Sequence, residues 1–359
     1  MRKAVSTIIL SAVVLGFCAA AVIGYVFWDF LASPTSAENR EVVYEVQPGR
    51  GFNSIARDLE AAGVIRNSGL FSFYARAIGQ RSKLKVGEYL LNSNMKPIDV
   101  LSVITSGHSL ARPFTVSEGL NIFEIASLYE RGGFGTSQNF LKVVRDPAFV
   151  RDLLGIDAVS LEGYLFPETY QITKFTTTKE LVASMVNRFL SNYQAVENAV
   201  PAGMDRHQVV TLASIIEKET GAPVERPLIS SVFHNRMAKG MRLQTDPTII
   251  YGMAVATGKI PTNITKADLS RPTPYNTYVI PGLPPGPIAN PGLHALQAAV
   301  RPEASPYFFF VSRNDGTHVF SATYEDHAKA VRSFQMNPRA RAGKSWRDLQ
   351  TKQKKTAAP

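Results

Sequence analysis

An uncharged apolar run at the N-terminus is long enough to cross a lipid bilayer. After Arg2 and Lys3, no charged residue occurs from Ala4 to Trp28. At about 1.5 Å of rise per residue, a helix of this length spans a hydrocarbon core of roughly 30 Å. We therefore predict a membrane anchor over residues 1–30, with the basic N-terminus in the cytoplasm and the rest of the chain exported.

The competing interpretation of this run is a cleaved signal peptide. Cys18 is followed by three alanines, which resemble a small-residue cleavage site. The apolar character continues from Val22 to Phe27, however, which is long for the core of a signal peptide. Cys18 is also the only cysteine, so the exported part has no internal disulfide, no thiolate nucleophile and no cysteine metal site.

The composition suits globular domains and an anionic partner. The chain has 359 residues, of which 45% are hydrophobic and 19% charged, and its net charge is +10. This leaves room for two domains, and a basic surface fits acidic lipid or an acidic polymer such as the cell wall. No nucleic-acid motif occurs, and the six histidines show no metal-ligand spacing. We therefore predict no nucleic-acid partner, no metal and no cofactor.

Two segments share one strand–turn–helix pattern. Valine, a turn glycine, an Ile-Ala pair and a second glycine recur in the same order in Val46–Gly63 and Val116–Gly133, at an offset of 70 residues. Such an internal repeat resembles glycan-binding LysM modules. Ordinary α+β packing explains the same pattern equally well.

The remaining pattern completes an α+β fold with a mainly helical second half and a small β part. The predicted helices are 54–62, 96–106, 137–145, 179–196, 206–220, 224–238, 293–300 and 325–336; the predicted strands are 42–46, 87–90, 307–312 and 317–321. We expect an anchor (1–30), a linker (31–41), a LysM-like domain (42–135), a catalytic domain (136–336) and a basic disordered tail (337–359).

The helix predicted between Asp205 and Gly221 carries a candidate acid. Asp205 and Gln208 form a capping box, and Gly221 is a stop signal. Glu219 falls inside the apolar arc of this helix, whereas Glu217 falls at its margin. Burial and the negative helix end both raise the pKa of a carboxyl group, as a general acid requires. A salt-bridged structural glutamate is the alternative.

Polar and aromatic segments downstream could line a saccharide cleft. Tyrosine faces suit sugar rings, and amide, hydroxyl and carboxylate groups bind sugar hydroxyls. The predicted substrate-binding residues are Glu217, Gln244, Thr245, Asp246, Tyr251, Tyr275, Asn276, Thr277, Tyr278, Glu162, Tyr164 and Glu168. Aromatic-rich loops also commonly pack into a hydrophobic core, so no single segment by itself indicates a saccharide site.

Four of these motifs resemble the endolytic murein transglycosylase family, also called YceG-like. They are ASIIEKET (213–220), RLQTDPT (242–248), YNTY (275–278) and GLPPG (282–286). The resemblance covers roughly residues 42–336 and the anchor topology. It implies cleavage of the MurNAc–GlcNAc β-1,4 bond of peptidoglycan without water, leaving a 1,6-anhydro-MurNAc end. It also implies that Glu219 is the glutamate of the family's Glu-Ser/Thr signature.

The resemblance further implies a cellular role and partners. The enzyme would terminate nascent glycan strands in the periplasm, held to inner-membrane lipid by its single span, near the penicillin-binding synthases of the elongation machinery. Three rivals remain. They are a non-catalytic peptidoglycan-binding scaffold, a hydrolase with lysozyme-type chemistry, and a lyase acting on a small chorismate-type substrate.

Overall fold

The computed structural model describes residues 2–220, 222–261 and 263–336, with mixed helix and strand, as expected. The chain forms two units: the first comprises the chain up to Arg112 together with Gln171–Thr176, and the second comprises Pro113–Tyr170 and the chain from Thr177 onward. The predicted tail (337–359) and the stop residue Gly221 lie outside the described residues.

The apolar run forms one long helix, α1 (Arg2–Ala32). Its segment Ile9–Ala32 has the length and apolar character of a membrane span, with a mean hydropathy of 2.4. The helix continues into the segment predicted as a linker, and its residue Phe30 is buried in the core of the first unit. Beyond the helix, the Thr35 hydroxyl donates to the carbonyl of Val64 over 2.9 Å.

The first unit is a strand–helix–helix–strand module followed by one more helix. Its elements are β1 (Glu41–Val46), α2 (Phe52–Ala61), α3 (Ser68–Ala77), a 3-10 turn (Arg81–Lys83), β2 (Gly87–Asn92) and α4 (Pro97–Ser106). The strands are antiparallel, with Glu41 opposite Asn92 and Val46 opposite Gly87. Their inner face packs with the apolar faces of the helices, so Ile55 and Tyr89 are fully buried.

The second unit contains most of the helices. Its elements are β3 (Ala111–Thr115), α5 (Ile122–Arg131), α6 (Ser137–Val144), α7 (Pro147–Leu154), β4 (Thr169–Thr173), α8 (Thr178–Glu197), α9 (Arg206–Glu219), α10 (Arg226–Ala238), α11 (Asp246–Thr257), α12 (Lys266–Ser270), α13 (Leu293–Val300), β5 (Phe309–Ser312), β6 (His318–Ser321) and α14 (Tyr324–Phe334). The chain crosses between the units inside β3 and β4.

The two segments with the shared pattern agree in the length of their helix and in the conformation of their turn glycine. α2 and α5 each have ten residues. The turn glycines Gly49 and Gly119 have φ of 77° and 76°, a left-handed conformation that favours glycine. The first segment belongs to the first unit and the second lies in the second unit.

α9 is the helix on which the candidate site depends. It begins at the predicted capping box, in which the Asp205 carboxylate accepts from the backbone amide of Gln208 over 2.8 Å. Val209–Ile216 are buried without interruption, because α9 packs against α10, α11 and α13. The helix ends at Glu219, one residue before the predicted end.

The two predicted C-terminal strands are confirmed and form a hairpin. β5 and β6 pair antiparallel, with Phe309 opposite Ser321. The turn between them has left-handed Asn314 (φ 63°) and Gly316 (φ 95°). α14 packs on both strands.

The sequence did not predict several helices, among them α3, α7 and α11. No predicted helix covers the motif 242–248, yet its last residues open α11. Pro247 explains this start, because its fixed φ suits the first turn of a helix, where its missing N–H costs no hydrogen bond.

Candidate functional site

Glu219 closes α9 and lies in a pocket of the second unit. The pocket has a volume of about 380 Å³. Glu219 is partly exposed to it, while the residues one helical turn earlier are buried. The other lining residues are Arg236, Leu243, Gln244, Asp246, Tyr278, Phe309, Phe310, Tyr324 and His327.

The segment before α11 holds the Glu219 carboxylate. The Thr245 hydroxyl donates to Oε1 of Glu219 in a short hydrogen bond. Gln244 beside it has φ of 52°, an uncommon conformation for a residue with a side chain, and such backbone strain is frequent at functional sites. The backbone amide of Thr245 donates to the Thr277 hydroxyl over 3.0 Å, which fixes the position of this segment.

The surroundings of Glu219 raise its pKa to about 7. Burial is the main cause, because it disfavours the charged carboxylate, and the negative charge of Asp246 acts in the same direction. The hydrogen bond from Thr245 and the positive charge of Arg236 oppose them. The carboxyl group can therefore both hold and release a proton near neutral pH.

Arg236 is a buried cation in the pocket wall. Its Nε donates to the carbonyl of Phe308 over 2.6 Å, and its Nη1 donates to the carbonyl of Leu243 over 2.7 Å. The guanidinium also lies over the Phe309 ring at 5.4 Å. Arg236 thus joins the hairpin to the segment before α11 and places a fixed positive charge near Glu219.

Another part of the pocket wall carries polar groups suited to a sugar. The Tyr278 hydroxyl donates to Oδ1 of Asp246 over 2.7 Å. Burial is the main cause that raises the pKa of Tyr278, so its hydroxyl remains a neutral donor. Asn276 supports this wall from behind, because its side-chain amide donates to the carbonyls of Asp268 (3.1 Å) and Arg271 (2.8 Å).

Glu217 points away from the pocket. Its side chain is only 5% exposed and pairs with Arg226, whose Nη2 donates over 2.8 Å. The backbone amide of Gly292 donates to its other oxygen over 3.1 Å. Glu217 therefore has the surroundings of a structural ion pair, and the structure does not bring it to the pocket that holds Glu219.

Glu162, Tyr251 and Tyr275 form a second cluster in the second unit. Glu162 is buried, and its oxygens accept from the backbone amide of Ile122 and the side-chain amide of Asn290, both over 2.9 Å. Burial raises its pKa to about 8, against the hydrogen bonds from Ile122 and Tyr251. The rings of Tyr251 and Tyr275 meet edge to face with centroids 5.0 Å apart. These three predicted residues are not among those that line the Glu219 pocket.

Tyr164 and Glu168 also lie elsewhere. Tyr164 is fully buried, and its hydroxyl is 2.8 Å from Nδ1 of His207. Glu168 is paired with Arg188 near the surface. Both side chains make contacts within the second unit, with His207 and Arg188 respectively.

The structure thus brings the predicted residues Gln244, Asp246 and Tyr278 to the pocket. Thr245 bonds Glu219, and Thr277 bonds Thr245. Sequence reasoning missed the wall that the hairpin and α14 form. Its aromatic residues Phe309, Tyr324 and His327 stand close together, and the rings of Phe309 and His327 stack with centroids 5.2 Å apart. The aromatic character of the predicted strand 307–312 was the only available signal.

No cluster of three or more His, Cys, Asp or Glu side chains suited to a metal ion occurs in the part of the chain that the structure describes.

Several known proteins are similar to this chain. A model of the YceG-like family matches residues 44–333. A Bacillus subtilis (strain 168) protein named endolytic murein transglycosylase is 31% identical over 327 residues, which cover 86% of this chain and 89% of that protein.

A Streptococcus pneumoniae (strain D39) protein of the same name is 29% identical over 331 residues, covering 83% of this chain but only 59% of that protein. A 2.6 Å crystal structure of a YceG-like protein from Listeria monocytogenes superposes with a TM-score of 0.56 at 33% identity, and the match covers 82% of this chain and all of that one.

Proposed function

Because the chain belongs to the YceG-like family, we propose that it is an endolytic murein transglycosylase with Glu219 as its acid and base. The observation that carries the proposal is the partly exposed carboxyl of Glu219, whose pKa of about 7 lets it exchange a proton near neutral pH. The substrate is the glycan strand of peptidoglycan, cut at the MurNAc–GlcNAc β-1,4 bond.

A single carboxyl group suffices for the reaction. The protonated Glu219 gives its proton to the glycosidic oxygen, and the bond from that oxygen to C1 of MurNAc breaks. The C6 hydroxyl of the same MurNAc attacks C1 and passes its proton to the Glu219 carboxylate, which restores the acid. The products are a 1,6-anhydro-MurNAc end and a GlcNAc with a free 4-hydroxyl, and no water is consumed.

Arg236 and Thr245 stabilise the step at which Glu219 is ionised. The Thr245 hydroxyl already donates to the carboxyl, and the buried guanidinium of Arg236 is a fixed positive charge nearby. Groups held in place before the reaction stabilise developing charge without having to reorganise. Gln244, Asp246 and Tyr278 would bind sugar hydroxyls on one side, and the aromatic wall of Phe309 and His327 would contact a sugar face on the other.

The proposal extends to the rest of the chain. α1 would anchor the protein in the inner membrane as a single span, with both units in the periplasm. The first unit, with its strand–helix–helix–strand order, would be the core of a LysM-like module, within a region expected to extend over residues 42–135. The catalytic domain would occupy 136–336. Through this anchorage the enzyme would end nascent strands beside the penicillin-binding synthases.

The substitution Glu219→Gln tests the assignment, with Glu217→Gln as its matched control on the same helix. The full chain in lipid is incubated with isolated sacculi, and the released muropeptides are identified by mass spectrometry. We expect anhydro-muropeptides from the wild type and from folded Glu217→Gln, and none from Glu219→Gln. Loss confined to Glu217→Gln would transfer the role to that residue.

The same measurement separates the rival functions. A hydrolase would leave reducing MurNAc ends in place of anhydro ends, and a binding scaffold would leave the sacculi uncut. Either product pattern from the wild-type chain would overturn the proposed reaction.

A further inference from the structure

One face of α3 is apolar although it lies on the surface of the first unit. Phe73 is 61% exposed, and Ile78, which follows the helix, is 46% exposed. Arg76 and Ala77 are exposed on the same side, since they lie three and four residues after Phe73. These four residues, Phe73, Arg76, Ala77 and Ile78, are called the α3 patch below.

The end of α1 is packed against this part of the first unit. The Phe27 ring meets the Phe73 ring edge to face with centroids 5.6 Å apart, and it meets Tyr74 at 6.4 Å. One turn later Phe30 is buried in the core of the unit. Arg66 donates to the Asp29 carboxylate over 3.2 Å and to its backbone carbonyl over 2.9 Å. The helix therefore joins the unit through packed contacts.

The depth of these contacts follows from the length of the span. About 20 apolar residues cross a hydrocarbon core, and the uncharged run that begins at Ala4 ends at Trp28, so its end at Phe27 and Trp28 marks the far interface. Asp29 is the first charged residue after it. Aromatic rings favour this boundary between acyl chains and headgroups. Because Phe73 touches Phe27, it lies at the same depth.

We propose that the α3 patch lies in the interface of the bilayer that α1 crosses, with Phe73 and Ile78 among the outer acyl carbons and Arg76 at the phosphates. The inference rests on the proposed anchorage by α1. The occupant of the exposed face is lipid, because the patch continues the aromatic end of the span and carries a cation that suits phosphate groups. The first unit is then held on the membrane surface at two points.

Fluorescence quenching in lipid tests this arrangement in the full chain. A bimane probe is attached at Ala77→Cys or at Ala61→Cys, each in a Cys18→Ser background, and a third sample carries the probe on native Cys18. Ala77 is a small exposed residue of the patch, whereas Ala61 is an exposed alanine at the end of α2, close to Val64, whose carbonyl is bonded by Thr35 beyond the end of α1. The vesicles contain phosphatidylcholine and phosphatidylglycerol, with a spin label either near the top of the acyl chain or, in a second set, deep within it.

We expect quenching at position 77 to exceed that at position 61 several-fold, and to fall at least twofold when Phe73 is also replaced by serine. Equal quenching at 77 and 61, with Cys18 quenched by a deep label, would overturn the surface contact while leaving the anchorage intact. An unquenched probe at Cys18 would instead overturn the anchorage and this inference with it. Strong quenching at 77 that does not change with Phe73→Ser would refute insertion of the aromatic ring.

Discussion

Replacing Thr245 by valine isolates the hydroxyl that holds Glu219, because the two side chains have nearly the same shape. In the wild type this hydroxyl donates to Glu219 Oε1 and lowers the pKa of the carboxyl group. Valine removes the donor, so the carboxylate loses a stabilising partner. The pKa of Glu219 should therefore rise above its value of about 7.

The size of this rise follows from the strength of the lost bond. A hydrogen bond to a charged group contributes about 1.5–3 kcal/mol, and one pKa unit corresponds to about 1.4 kcal/mol. Glu219 is partly exposed, so water replaces some of the lost interaction. We expect a rise of about one unit, at the low end of that range.

The assay is the pH dependence of kcat/KM for release of anhydro-muropeptides by the full chain in lipid. A general acid fails once it loses its proton, so the rate falls above the pKa of Glu219. The alkaline limb should move about one pH unit higher in Thr245→Val. Thr211→Val is the matched control. Thr211 is buried on α9, the helix that ends at Glu219, and its hydroxyl donates to the His207 carbonyl over 2.7 Å. An alkaline limb that stays in place or moves to lower pH would refute the role of the Thr245 hydroxyl.

Two further predictions concern stability. The pKa of Glu162 is raised to about 8 in the folded chain, whereas its pKa in the unfolded chain is about 4.3. Between these two pH values the unfolded chain binds fewer protons than the folded chain, so the free energy of unfolding falls as pH rises. Glu162→Gln removes this pH dependence. The Tm of the variant minus the Tm of the wild type should therefore increase between pH 5.5 and pH 7.5. A Tm difference that stays constant over this range would contradict a buried, neutral Glu162. In Arg236→Lys, an ammonium group cannot bond both Phe308 and Leu243 as the guanidinium does, which should lower the free energy of unfolding by about 1–3 kcal/mol. Denaturant titration measures this loss, with Arg301→Lys at an exposed site as control, and equal stability of the two variants would count against it.

The candidate acid could be located by sequence because its position depends on local periodicity. A capping box fixed the start of α9, and counting along the helix placed Glu219 in the apolar arc and Glu217 at the margin of that arc. In the structure the two carboxyl groups diverge, and Glu217 is buried in an ion pair with Arg226.

The composition of the pocket could not be predicted in the same way. Tyr251 and Glu162 had the residue types of a saccharide site, yet they pack together away from Glu219. A polar side chain next to an apolar stretch can either bind a ligand or be buried in the core. The outcome depends on which other segment of the chain packs over that side chain. Asn290 and Ile122 are the partners that decided this for Glu162, and both are distant from it along the chain.

The sequence by itself determined a span-length apolar helix, the bounds of α9 and the carboxyl group at its end, because each depends on contacts between residues a few positions apart. Only the tertiary structure decided which groups surround that carboxyl. Thr245 and Arg236 act on it from segments far apart in sequence, and His327 lines the same pocket, so the site depends on packing between helices and the hairpin. Burial by those segments raises the pKa of Glu219, so its chemistry is a property of the fold.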